Sequence, residues 1–415
     1  MMAPTDTVVF GLVAGIIALG FGGELFFKKT GIPSFLFLIL IGIIVGPILQ
    51  IVSGNDLIPV LGIVANLTLI MVVFYSGMDT SIESVVSSGG RILVQVVLYV
   101  VLSTFVIGIV TSILFGWEII QALIFGSMIG GETTAAVVIP LSRSLNLGEK
   151  TITFISIESV LNSIFSIVLF TAFLGTYQTG SLDLSTALVA IASRFSVGIV
   201  VGAVLSVAWI YLLNHIKEHK FTYVFTLGLL FATYSISNSL GGSGILSALI
   251  FGIMLGSYKL LNQLSKTRQI DMDPLGKQLG VFQGEISFLL ETFFFVFLGL
   301  IFVVNPEQIL TNLGIGVFLL LVLLAFRSLA TMVSTEGSEL QKDRLKIILL
   351  NAQGLTPATL AIIAVNAGLP LGNTFLNLVT YVIILTNIVT TGASIWIARE
   401  AKLKLKANGK TLTGV

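Results

Sequence analysis

Long apolar runs separated by short polar joints occupy almost the whole chain. Runs near 20 residues, long enough to cross roughly 30 Å of hydrocarbon, fall at about 7–27, 33–52, 57–76, 92–114, 117–141, 151–174, 185–213, 221–240, 243–259, 283–304, 312–335, 345–367 and 373–398. The pattern predicts an all-α polytopic membrane protein with thirteen transmembrane helices. The joints are too short for an additional domain, so residues 1–415 read as a single membrane domain. The first run lacks a basic start and a small-residue cleavage site, which marks it as a retained helix and not a signal peptide.

Two of the runs are interrupted. The fifth contains Gly130-Gly131-Glu132-Thr133-Thr134 and then Pro140, and the twelfth contains Asn351-Ala352-Gln353-Gly354-Leu355-Thr356-Pro357. Gly and Pro weaken or remove backbone hydrogen bonds, and the freed groups are tolerated at membrane depth only where polar neighbours shield them from lipid. The interruptions lie seven spans apart, an odd offset, so the two segments enter the membrane with opposite polarity. That predicts two inverted six-helix repeats, spans 1–6 and 8–13 with the seventh as linker, and a substrate site where the broken helices cross. The bland alternative is a pair of ordinary packing glycines, because Gly is common in membrane helices.

Composition agrees with the pattern. With 55% hydrophobic and 10% charged residues and a mean hydropathy of +1.06, the chain is not a water-soluble globule, which is usually about a quarter charged. The absence of cysteine excludes disulfides and thiolate metal sites, and 21 basic against 20 acidic residues give no reason to expect nucleic acid as a partner. No cofactor is called for. Nineteen of the 21 basic residues, from Lys28 and Lys29 to Lys406 and Lys410, fall in or beside alternate loops and the C-terminus. By the positive-inside rule the C-terminus is then cytoplasmic and the N-terminus outside, in a cell (plasma or inner) membrane.

The remaining two basic residues, Arg194 and Arg327, lie within proposed helices. Arg327, in the middle of the eleventh span, offers a permanent charge and a fork matched to a carboxylate. Glu158 is its expected partner, and Glu158 and Asn162, at i and i+4, share one face of the sixth span. Glu158 then reads either as a structural ion pair or as a transport group. Glu132 has no basic neighbour in sequence and stands at a helix break, so it reads either as a proton carrier or as a brace held by half-helix amides. Glu132, Thr133, Thr134, Asn162, Ser163 and Thr356 supply oxygens of the kind hard monovalent cations prefer, with Thr133, Asn162 and Ser163 the candidate Na+ ligands. Glu291, which competes for Arg327 or serves as a second proton site, and Gln353 are secondary candidates; Glu285 accompanies Glu291. Arg194 snorkels to the outer interface or pairs between helices, and His215 and His219 read as solvated loop positions. Gly241-Gly242-Ser243-Gly244 matches the short pattern of intramembrane serine proteases, but no histidine falls in a span to act as its base, so no enzyme is expected.

The runs Thr-Thr-Ala-Ala-Val-Val-Ile-Pro-Leu-Ser-Arg-Ser at 133–144, Glu-Ser-Val-Leu-Asn-Ser at 158–163 and Gln-Gly-Leu-Thr-Pro-Ala-Thr-Leu-Ala at 353–361, with Ile32-Pro33 and Gly42-Ile43-Ile44-Val45-Gly46-Pro47, resemble the cation:proton antiporter superfamily, in particular its NhaP-type sodium/proton exchangers. The resemblance implies a homodimer with an elevator-type antiporter fold that exchanges monovalent cations for protons by alternating access. It places the scaffold and dimer helices in about 1–114 with 221–304, the transport core in about 92–174 with 312–398, and a linker helix at 185–213; Glu158 and Arg327 match the family's structural ion pair. The chain also departs from the pattern. The family's Thr-Asp-Pro falls on Glu132-Thr133-Thr134, its Asn-Asp pair on Asn162-Ser163, and its Pro-Arg-Gly on Ala352-Gln353-Gly354. Either Glu132 has taken the role of the missing aspartate, or a same-fold transporter or uniporter moves another solute, an anion or a small organic molecule, without Na+/H+ exchange.

Overall fold

A computed structural model of the chain describes residues 6–30, 32–51, 58–78, 82–145, 147–180, 184–216, 221–257, 273–303 and 306–407. Among these every regular element is helical: α1 (Asp6–Thr30), α2 (Ser34–Ile43), α3 (Ile58–Met78), α4 (Ile82–Val96), α5 (Leu102–Phe115), α6 (Ile119–Ile129), α7 (Ala135–Ser144), α8 (Glu149–Thr179), α9 (Leu184–Ile216), α10 (Thr222–Ser239), α11 (Gly244–Gly256), α12 (Asp273–Leu300), α13 (Ile309–Ser334), α14 (Arg344–Leu349), α15 (Leu355–Asn366) and α16 (Gly372–Ala407). Each of the thirteen apolar stretches coincides with a helix, a helix carrying a π-turn, or a pair of half-helices. By length and composition six described helices can cross a membrane, α8, α13 and the continuous α4–α5 rod among them.

The half-helices α6 and α7 flank the interruption at 130–134, and α14 and α15 flank the one at 350–354. The second and fourth stretches hold features the apolar pattern does not announce, π-turns at Ile44–Ile48 and Val97–Val101. The first contains Pro47, whose missing N–H removes a helical hydrogen bond, and the chain adapts by closing a wider turn from the Leu49 N–H to the Ile44 carbonyl, 2.9 Å.

Tight helix pairs hold one part of the molecule together. A Cβ on Gly42 would stand 2.3 Å from the Val296 carbonyl oxygen and one on Gly299 2.2 Å from that of Ile39, so α2 and α12 touch backbone to backbone. Close approach of this kind is how helices associate where lipid removes the hydrophobic driving force. Phe35 and Phe295 stack beside this seam with centroids 4.8 Å apart. A small apolar cluster around Phe74, Trp209, Leu230 and Phe251 joins α3, α9, α10 and α11. Of the half-helices, α6 packs against α5 and α8, and α15 against α16, α6 and also α3.

Gly241-Gly242-Ser243-Gly244 forms the turn from α10 to α11. Gly241 takes φ 78°, and the Ser243 hydroxyl accepts the Leu246 N–H as the helix cap. His215 belongs to α9, but its side chain, like His219 and the loop cations Lys217, Lys220, Lys259, Lys266 and Arg268, lies outside the described residues.

Candidate functional site

The two interruptions cross and satisfy one another. The Thr134 N–H donates to the Ala352 carbonyl at 2.7 Å, and Gln353 Nε2 donates to the Ile129 carbonyl at 2.6 Å. Two polar stretches that would be intolerable against lipid therefore supply each other's missing partners. Gly131 lets the first interruption turn, with φ 77°, a conformation in which a Cβ would stand 2.6 Å from Val100 Cα. The second is held from α16: Thr390 and Thr386 hydroxyls accept the N–H groups of Asn351 (3.1 Å) and Gln353 (3.2 Å), and Asn387 Nδ2 donates to the Gln353 carbonyl (2.6 Å).

Glu132 sits in this crossing, 1% exposed. Ser163 donates to its Oε1 at 3.4 Å, and the Gly354 amide and Thr356 hydroxyl are its further polar neighbours. The carboxylate thus lies at the first turn of α15, where free amides and the helix dipole favour negative charge. Thr356 in turn donates to the Ser163 hydroxyl at 3.3 Å. Among the described residues no Lys, Arg or His faces Glu132. Its Oε2 and the Oδ1 of Asn162 are buried oxygens without a hydrogen-bond partner, acceptors of the kind that a proton or a hard cation satisfies. Ser163 is part-exposed, whereas Thr133 and Asn162 are fully enclosed.

One helical turn away Glu158 is held differently. Arg327 meets it with both arms, Nη1 to Oε1 at 2.6 Å and Nη2 to Oε2 at 3.1 Å, and both side chains are wholly buried. Asn162 Nδ2 donates to Glu158 Oε1 (3.0 Å) and to the Thr133 hydroxyl (3.1 Å), and Gln95 Nε2 approaches Oε1 at 3.4 Å. Arg327 also donates to the Ile347 and Leu350 carbonyls (2.9 and 3.1 Å), closing the C-terminal end of α14. A forked, hydrogen-bonded pair of this kind survives burial where a lone charge would not.

The structure thus brings Glu132, Thr133, Asn162, Ser163, Gln353 and Thr356 together, with Thr134 joining through its backbone. It does not bring Glu291 to Arg327. Glu291 faces Glu24 of α1 instead, across a cavity of about 100 Å³ lined also by Ser34, Val137 and Thr292, because α12 packs on α1 and α2. Glu285 is exposed. Arg194 is half-buried, its guanidinium over Gly175 and its carbonyl accepting the Ser243 N–H at 3.0 Å.

Residues that sequence reasoning did not single out complete the surroundings: Gln95, Tyr99, Thr331, Thr386, Asn387 and Thr390, all buried. Their signal is a polar pair or trio at helical spacing inside an apolar run, Gln95 with Tyr99, and Thr386 and Asn387 with Thr390.

Residues 14–399 match the family described as sodium/hydrogen exchanger, transmembrane. The chain is similar to the K(+)/H(+) antiporter NhaP2 of Shewanella sp. (strain MR-4), 28% identical over 392 residues covering 91% of this chain and 64% of that protein. It therefore spans less than two thirds of the length of that curated relative. A probable Na(+)/H(+) antiporter 2 of Methanocaldococcus jannaschii is 25% identical over 354 residues, 80% of this chain and 79% of that protein. The fold matches that of the sodium proton antiporter MjNhaP1 from Methanocaldococcus jannaschii at pH 8 with a TM-score of 0.81 and 20% identity, over 94% of this chain and 98% of that one. With the family match running through both interruptions and nearly the whole helical region, the chain belongs to the transmembrane sodium/hydrogen exchanger family.

Proposed function

We propose that the protein is a secondary active transporter that exchanges a monovalent cation for protons by alternating access, with Glu132 as the acid for which both compete. The observation that carries this is a carboxylate enclosed at the crossing of two broken helices among hydroxyl and amide oxygens, with no basic partner among the described residues. Uncompensated charge is costly in hydrocarbon, so the loaded site crosses as a neutral unit, either the protonated acid or the carboxylate with one monovalent cation. One acid carrying one charge makes the exchange one for one. Glu132, Thr133, Asn162, Ser163 and Thr356 hold the ion, and Glu158 with Arg327 keeps the frame.

Na+ is the proposed ion, and K+, the ion in the name of the NhaP2 relative, is the competing outcome of the same assay. Thirteen crossings with the C-terminus cytoplasmic, a cell-membrane location, a homodimer, and a core of about 92–174 with 312–398 moving against the scaffold helices complete the proposal; the backbone-to-backbone packing of α2 on α12 supports a rigid scaffold unit. The anion reading is less well supported, because the half-helix amides that would receive an anion already face Glu132 and the Ala352 carbonyl.

In proteoliposomes with an imposed pH gradient, addition of Na+ or K+ is expected to dissipate the gradient for the native protein, and Glu132→Gln to reduce that signal to background. Cation-dependent dissipation by E132Q at the native rate ends the assignment, and dissipation by an anion but no alkali cation moves it to the other solute class.

A further inference from the structure

Tyr99 is fully buried on the π-turn Val97–Val101. Its hydroxyl donates to Asn351 Oδ1 at 2.7 Å, and Arg327 Cζ stands 5.2 Å from its ring centroid. A π-turn carries one residue more than the helix around it and is frequent at functional sites. Here the widened backbone takes up Gly131, which packs against Val100. One five-residue segment of the fourth stretch thus touches both interruptions, the first through its backbone and the second through a single hydroxyl. Asn351 opens the second interruption, and three residues later Gly354 places its amide beside Glu132.

We propose that Tyr99 is a positioning residue for cation binding: through Asn351 its hydroxyl fixes the second interruption against the first, and so fixes the oxygens around Glu132. The inference rests on the reading of Glu132 given above. A tyrosine that only filled space would be replaced by phenylalanine without consequence, because the ring under Arg327 would remain; the hydroxyl also neighbours Arg327, and Asn351→Ala, which leaves that neighbour in place, isolates the bond to the second interruption.

The experiment compares Tyr99→Phe, Asn351→Ala and the double variant with the native chain in proteoliposomes, titrating Na+ and K+ and recording thermal unfolding in detergent. Losing a buried neutral hydrogen bond in the site is expected to raise the apparent KM for the cation roughly three- to tenfold with little change in maximal rate. Asn351→Ala should do the same, and the double variant should be no worse than the poorer single one. An unchanged KM in Y99F overturns the inference whatever happens to the melting temperature, and so do additive effects in the double variant. Should Y99F fail to fold, an unchanged KM in N351A overturns it equally. E132Q in the same liposomes separates the two readings. Exchange that persists in E132Q removes the Glu132 site and this inference with it, whereas silent E132Q beside native-like Y99F removes this inference alone.

Discussion

Two glutamates are buried at the same crossing, one bonded to Ser163 and the other to Asn162 of α8, and their surroundings differ in kind. Glu158 has both oxygens on Arg327 and further donors in Asn162 and Gln95. Glu132 has one hydroxyl at 3.4 Å, an amide and a second hydroxyl nearby, and an oxygen left over. Burial alone therefore says nothing about role. A carboxylate with both oxygens on a fixed cation has nothing to exchange, while one met only by weak neutral donors changes partners at small cost.

The largest expected effect follows from removing the fixed cation. Arg327→Gln strands the fully buried Glu158 without its cation and releases the Ile347 and Leu350 carbonyls, so it should destabilise the protein by about 3–5 kcal/mol. The measure is the melting temperature of detergent-purified protein, or loss of any folded yield. Glu132→Gln, which is expected to silence exchange, should by contrast change stability by no more than about 1 kcal/mol, because it deletes a charge that no basic side chain among the described residues neutralises. Equal stability losses in the two variants would abolish the distinction between frame and carrier.

A smaller effect probes the crossing itself. Gly131→Ala meets both a positive φ and the Val100 backbone, whereas Gly116→Ala meets a φ of 66° with nothing within 4 Å. Each should lose more than about 1 kcal/mol for the backbone conformation, with the excess in Gly131→Ala measuring how tightly the π-turn grips the first interruption. Equal melting temperatures would mean that the grip contributes nothing.

The same elements show what a one-dimensional pattern can and cannot convey. The interruptions are legible because Gly130-Gly131 and Gln353-Gly354 stand inside apolar runs, and the common face of Glu158 and Asn162 follows from helical spacing. The π-turn at 97–101 is not legible, since Val97-Leu98-Tyr99-Val100-Val101 is an unremarkable apolar run whose extra residue answers to a backbone some thirty positions away. Tyr99 reaches Asn351 and Gln95 reaches Thr331 across separations of 252 and 236 residues, and no local spacing encodes them. Of the two alternatives for Glu291, competition with Glu158 for Arg327 is the one the structure does not bear out, for the same reason. Spacing places a carboxylate on a helix but does not say which helix stands opposite, and α12 stands against α1.

The smallest effect is expected at the surface beside α8. Lys150 bonds Glu339 at 2.8 Å with the two side chains 73% and 66% exposed, while Thr151 and Lys346 both bond the buried Asp343, at 2.8 and 2.7 Å. The hydrogen bond and charge of Lys150 hold the Glu339 carboxyl below the usual carboxylate range. A carboxyl whose folded-state pKa is lowered adds stability above its unfolded pKa and loses it as the pH falls through the folded one. Lys150→Gln should therefore differ from the native protein only at and above the ordinary carboxylate range, and not in strong acid. Because water and salt screen an exposed pair, the difference in melting temperature should be barely measurable at low salt and vanish at high salt. A large, salt-resistant loss would show that this exposed pair fastens the 339–343 turn to α8, the duty the geometry gives to buried Asp343, and would extend the frame built around Glu158 out to the surface.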